Sequence, residues 1–335
     1  MGTLEKLQTF IILIAVGLGL SLGQIPIAEQ YAALFVTPFL LLMLYGIFLG
    51  IPLHQIKSAF RNLTFLTANT IVNFIWTPLL AWGLGALFLA DHPALWIGFI
   101  MLMVTPCTDW YLVFTGIAKG NVPLSTSVLP INLILQLLLL PVYLFIFAGT
   151  MEMVDVTTIV ESVILVLTVP FVAACLTRYL LKNKKAFQKT WVPFFANGQI
   201  IFLSLAIMAM FASQGSYLFN NLELLFLLLI PILLFFIINY GIGRGISRIL
   251  TFTYADAASF QLTIIARNSP ISLAIALTAF PNEPLVALAL VIGPLIELPL
   301  LAVISQLLLK RPPAKAGGFG HKCPRLKVAV QTEVR

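Results

Sequence analysis

The stretch Met103-Val-Thr-Pro-Cys-Thr-Asp-Trp-Tyr-Leu112 constrains this chain more than any other. It lies in the middle of an apolar run, residues 94–118, long enough to cross a bilayer. Pro106 has no amide proton to give and cannot continue a helix smoothly. Thr105, Thr108 and Asp109 put polar groups where hydrocarbon would otherwise surround them. Irregular backbone at membrane depth is tolerated only against protein or a water-filled cavity. The run is therefore expected to be two half-helices meeting at a site, with Cys107 at the break.

The rest of the chain reads as membrane too. Hydrophobic residues make up 60% of it and charged residues only 9%, whereas a soluble domain carries about a quarter charged residues. Apolar windows of about 20 residues predict ten spans, at 7–25, 31–51, 64–89, 94–118, 123–148, 156–181, 191–213, 221–243, 254–280 and 284–309. The run from Leu7 has only Lys6 ahead of it in the way of basic flank and no small-residue cleavage site behind it, so it reads as a retained first helix. Loop charges follow the same count. Of the 19 Lys and Arg, all but Arg267 fall on one side: Lys6, Lys57 with Arg61, Lys119, the cluster from Arg178 to Lys189, Arg244 with Arg248, and the group from Lys310 onward. The opposite loops hold Glu29, Asp91, Glu152, Asp155, Glu223 and Glu283. Positive loops face the cytoplasm, so the chain is expected in the cell membrane with both termini cytoplasmic. Residues 311–335 read as a disordered basic tail able to touch anionic lipid. The net charge of +7 thus reflects topology and not nucleic-acid binding.

Ten spans divide into two halves of five, about 1–150 and 151–310. An odd number per half makes them an inverted repeat. Aligning Lys119-Gly-Asn-Val-Pro-Leu124 with Phe280-Pro-Asn-Glu-Pro-Leu285 puts Cys107 on Asn268 and Gln136 on Glu297. The break in span four then meets a second polar interruption, Ala266-Arg-Asn-Ser-Pro270, in span nine. Paired interruptions in corresponding helices are the best sequence pointer to a transport site, and their half-helix ends offer dipoles and backbone groups to a ligand. The expected fold is all-α and polytopic, with broken helices four and nine crossing in a core domain.

Several side chains carry chemistry. Arg267 and Asp109 sit near the centres of spans nine and four, where a lone charge costs about 2.5–3.5 kcal/mol on insertion scales. They are expected to pair across the crossing, either as a structural ion pair or with Arg267 as a fixed positive charge where related carriers hold a cation. Glu297 lies halfway along span ten, in Val291-Ile-Gly-Pro-Leu-Ile-Glu-Leu-Pro299. Desolvation favours its neutral form, which suits a proton carrier; a protonated carboxyl bonded inside the bundle is the plainer alternative. Gln136 follows Asn132 by four residues, on one helix face, so both amides either line a cavity or join helices. Asn69, Asn73 and Asn239 are further intramembrane amides, read as packing or lining. A buried cysteine is usually a small hydrophobe, but Cys107 stands at a proline break beside two threonines, where its thiolate could bind a soft, thiophilic species. Cys175 and Cys323 have no such setting. The cysteines are too far apart for a zinc cluster, and His54, His92 and His321 lie in loops or the tail, so no metal site and no cofactor are expected.

Thr-Pro-Cys-Thr at 105–108, Ala118-Lys-Gly120 and Ile292-Gly-Pro-Leu-Ile-Glu-Leu-Pro299 resemble the arsenical-resistance efflux permeases of the bile acid/sodium symporter superfamily. The resemblance covers nearly all of the membrane region. It implies a ten-helix fold with a panel domain and a core domain, the export of arsenite driven by proton entry, and required roles for Cys107 and Glu297. The chain differs from the arsenite permeases in two places. Asp109-Trp-Tyr follows the Pro-Cys-Thr, and Arg267-Asn-Ser-Pro-Ile stands where they carry a Ser-Asn-Asn-Phe-Glu type of sequence. The glutamate- and glutamine-containing run that binds sodium in the bile-acid branch is also absent.

These readings predict a secondary transporter and not an enzyme. The leading expectation is proton-coupled efflux of arsenite or a related metalloid, with Cys107, Thr105, Thr108, Asn268, Asn132 and Gln136 toward the substrate and Glu297 toward the proton. The alternative is an organic-anion carrier with Arg267 as the anion partner. The partners in either case are a small inorganic or organic solute, protons and membrane lipid.

Overall fold

The computed structural model describes residues 3–50, 56–108, 110–148, 156–181, 184, 187–220, 222–280 and 283–310. The tail expected at 311–335 and Asp109 lie outside them. Every regular element among the described residues is a helix: α1 (Thr3–Leu22), α2 (Pro26–Gly50), α3 (Ile56–Ala59), α4 (Leu63–Ile71), α5 (Thr77–Phe88), α6 (Pro93–Met103), α7 (Trp110–Ile117), α8 (Val122–Ala148), α9 (Val156–Leu181), α10 (Val192–Asn220), α11 (Leu222–Ile249), α12 (Tyr254–Ile265), α13 (Ser269–Ala279) and α14 (Pro284–Lys310). A π-helical turn, Val72–Trp76, joins α4 to α5, and another, Phe187–Trp191, leads into α10.

Six stretches of the described residues are long and apolar enough to cross a membrane as single helices: Pro26–Gly50, Leu63–Phe88, Val122–Phe147, Val192–Ser213, Phe226–Ile249 and Leu285–Lys310. The apolar runs at 94–118 and 254–280 are instead each divided, into α6 with α7 and α12 with α13. Proline alone does not cause the division. Pro38, Pro130, Pro141, Pro170, Pro231, Pro294 and Pro299 all sit inside continuous helices. Thr37 stands before Pro38 just as Thr105 stands before Pro106, so a neighbouring hydroxyl does not decide it either. At Thr105-Pro106 and at Asn268-Ser269-Pro270, polar side chains and an opposing backbone take over the freed groups.

The half-helices have clear stops and starts. At the N-terminus of α12 the Thr253 hydroxyl accepts from the Asp256 amide at 3.2 Å, and Asp256 in the first turn complements the helix dipole. Asn268 caps α13, its Oδ1 accepting from the Ile271 amide at 3.5 Å, with Pro270 in the first turn. α10 lies along α2 and α1, and α2 also touches α9 and α13. α6 lies along α14, and α12 packs on α11. Leu34, Leu87, Phe226 and Ile237 are at least 65% exposed, forming the kind of apolar outer surface that lipid covers.

Gly98 is where α6 meets α14 most closely: a Cβ there would stand 2.6 Å from the Val286 carbonyl oxygen. Gly98→Val should therefore force the two helices apart. We expect a loss of about 1–3 kcal/mol, the usual range for overpacking, read as a lower melting temperature of the purified protein in detergent.

Candidate functional site

The two breaks complete each other's backbone. Between α6 and α7 the chain is extended at Pro106, between α12 and α13 at Arg267, and the two form an antiparallel bridge. The Cys107 amide donates to the Ala266 carbonyl at 3.0 Å, and the Asn268 amide donates to the Thr105 carbonyl at 2.8 Å. This pairing answers the need that any unwound segment has at membrane depth. Side chains reinforce it. The Thr105 and Ser272 hydroxyls lie 2.9 Å apart, Thr105 also reaches the Asn268 carbonyl at 3.2 Å, and Ser272 donates to the Met101 carbonyl at 2.8 Å. Asn268 Nδ2 donates to the Thr108 hydroxyl at 3.3 Å.

Arg267 is 2% exposed. Its main-chain amide donates to Glu297 Oε1 of α14 at 2.7 Å. Its guanidinium turns the other way. Nε donates to the Ile265 carbonyl at 3.0 Å, Nη1 to the Met103 carbonyl at 2.9 Å, and Nη2 to both Asn73 Oδ1 at 3.1 Å and the Ile264 carbonyl. The Phe235 ring of α11 lies 5.2 Å from its central carbon, a cation–π contact.

A small, partly open cavity of about 50 Å³ adjoins the crossing. Cys107, Thr108, Arg267, Asn268 and Glu297 make its polar wall. Met43 and Ile47 of α2 and Ile200 and Leu203 of α10 make the opposite, apolar wall. Four of the side chains read from the sequence as a site, Cys107, Thr108, Asn268 and Glu297, thus meet on one cavity, together with Arg267. Thr105 does not line it; its hydroxyl is taken up inside the crossing. Asn132 and Gln136 lie away from it as well. Asn132 Oδ1 accepts from Asn69 Nδ2 at 2.7 Å, and neither amide atom of the Gln136 side chain has a hydrogen-bond partner among the described residues.

Asn69 and Asn73, left as packing or lining in the sequence, belong to the site's support. Asn73 Nδ2 donates to Asn69 Oδ1 at 2.9 Å, so a line of amides runs from Arg267 through Asn73 and Asn69 to Asn132. The π turn at Val72–Trp76 carries Asn73, and Tyr143 of α8 donates to the Phe74 carbonyl inside it at 2.6 Å. Such turns are frequent at functional sites. The signal in the sequence was the four-residue spacing of Asn69 and Asn73; nothing in it pointed to the wider turn.

Residues 37–221, from mid-α2 to the end of α10, match the profile of the Sodium Bile acid symporter family. The chain belongs to the sodium bile acid symporter family. As a member it is an integral membrane transporter. It is 25% identical to the arsenical-resistance protein Acr3 of Corynebacterium glutamicum over 78% of this chain and 74% of that protein. It is 22% identical to the arsenical-resistance protein Acr3 of Alkaliphilus metalliredigens over 91% of this chain and 92% of that one. An uncharacterised transporter of Synechocystis is 25% identical over 98% of this chain and 97% of its own length.

Proposed function

We propose that this transporter exports arsenite or a related metalloid in exchange for protons. The observation that carries the reading is the cysteine at the break. Cys107 lines the same cavity as Glu297, so a soft ligand and an acid that can carry a proton face one solute. Arsenite near neutral pH is an uncharged trihydroxide, and its distinguishing affinity is for sulfur. Two relatives bear the name of arsenical-resistance proteins. Thr108 and Asn268 would hydrogen-bond the solute's hydroxyls, while Thr105, Asn132 and Gln136 act from behind the crossing. An organic anion would need donors from Arg267, and four of its five guanidinium N–H groups already go to protein acceptors.

The same reading includes ten spans in two inverted halves, 1–150 and 151–310, with both termini cytoplasmic. Support comes from the register that pairs Cys107 with Asn268. It also pairs Thr105 with Ala266, so the two backbone bonds of the crossing exchange under it. It pairs Gln136 with Glu297 and Pro106 with Arg267. The Arg267 amide donates to Glu297, whereas Pro106 has no amide proton for Gln136. On this view only the second half keeps the acid and its donor. Asp109, by the same reading, balances Arg267 across the crossing.

Expression in an arsenite-sensitive bacterial strain tests the substrate. Growth should extend to higher arsenite concentrations than with the empty vector. A strain that gains no protection, while the protein is present in its membrane, rules the metalloid out.

A further inference from the structure

We infer that the Arg267 guanidinium is a tethered cation that stands in the place of a sodium ion at the crossing, so that this transporter works without sodium. The inference rests on the reading of the chain as a carrier, but not on arsenite as its solute.

The acceptors decide it. Met103 is the last residue of α6, and Ile264 and Ile265 are the last two of α12. Their carbonyls have no amide ahead of them in their own helix, and each helix end carries about half a negative charge. Two such ends converge on one point in a buried setting, and a positive charge is needed there. In transporters built from broken helices, unwound carbonyls and half-helix C-termini are what bind a coupling sodium ion. Here the guanidinium takes all three carbonyls, and Asn73 Oδ1 supplies a fourth oxygen. Met103 and Ile264 are also equivalent under the register that relates the two breaks, so the cation bridges the matching ends of both halves.

The oxygens fit a cation, but a free one is redundant. The guanidinium is buried, its face is covered by Phe235 at 5.2 Å, and it cannot lose its proton under physiological conditions. A sodium ion that entered would meet a fixed like charge at its own ligands. An exchangeable cation leaves once per cycle and so ties transport to its gradient. A cation held by a covalent stem does not leave, and the cycle carries no sodium. The membership of a family named for sodium symport makes this a departure within it.

Thermal unfolding of the purified protein in detergent tests the inference without any solute. Melting temperatures are compared in sodium chloride and in choline chloride at equal ionic strength. Wild type should melt at the same temperature in both. Arg267→Ala should melt several degrees lower in choline, and added sodium or guanidinium chloride at low concentration should restore it saturably. Arg267→Lys keeps a tethered charge and should ignore sodium. A saturable sodium response of wild type overturns the inference, as does an Arg267→Ala protein that folds and responds to neither cation. Should neither variant fold, the wild-type comparison decides alone: indifference supports the inference and stabilisation overturns it. Loss of the arsenite phenotype together with sodium indifference would reject the solute and leave the tethered cation standing.

Discussion

Cys107→Ser should reduce arsenite efflux to the level of empty vesicles while leaving the fold intact. Serine matches cysteine closely in size, and the bond from the residue's amide to the Ala266 carbonyl at 3.0 Å does not involve the side chain. The bridge between the two breaks therefore survives. What is lost is the soft ligand on the cavity wall. A hydroxyl is a hard donor that distinguishes arsenite poorly from water, so binding selectivity collapses even though the pocket keeps its shape. Everted vesicles with an imposed proton gradient give the measurement, with an unchanged melting temperature as the control for folding. Undiminished arsenite efflux in this variant would remove Cys107 from the solute's binding site.

Glu297→Gln should fail differently. The carboxyl lies 4% exposed on α14, and its Oε1 accepts the Arg267 amide at 2.7 Å. A glutamine oxygen can accept the same bond, so the geometry of the crossing is retained and the side chain stays permanently in the neutral form. The solute should still bind, because Cys107 and Asn268 are untouched. The proton gradient should no longer drive efflux, because nothing at this position gains or loses a proton between the two faces of the membrane. Solute binding with loss of gradient-driven efflux separates this variant from Cys107→Ser, which should lose both. Undiminished proton-driven efflux in Glu297→Gln would assign the coupling to another group.

Much of this is legible in the sequence. The polar residues around Pro106 and Pro270 announced breaks, and α6 does stop at Met103 and α12 at Ile265. The signal is local, a residue without an amide proton beside side chains that bond to backbone, but the backbone pairing that completes the breaks comes from the opposing segment. Arg267 and Glu297 stood out because ionisable groups are costly in apolar runs. The wall from α2 and α10 was not legible, since Met43, Ile47, Ile200 and Leu203 look like any other apolar residues of a membrane helix. The expected lining by Asn132 and Gln136 came from helix spacing, and that by Thr105 from its place at the break; neither says what the side chain meets.

Arg267 marks the division most sharply. The sequence by itself determined that a charge in span nine needs partners, that two proline-containing breaks occur, and that a cysteine sits at one of them. These follow from composition and from the chemistry of single residues in an apolar solvent. Only the tertiary structure decided which partners the charge takes. Asn73 reaches it from a π turn more than 190 residues away in sequence, and the Met103 carbonyl is available because the other break ends α6 at that residue. The free carbonyls of a helix end carry no mark in the amino-acid code, so where two such ends converge depends on how the helices pack.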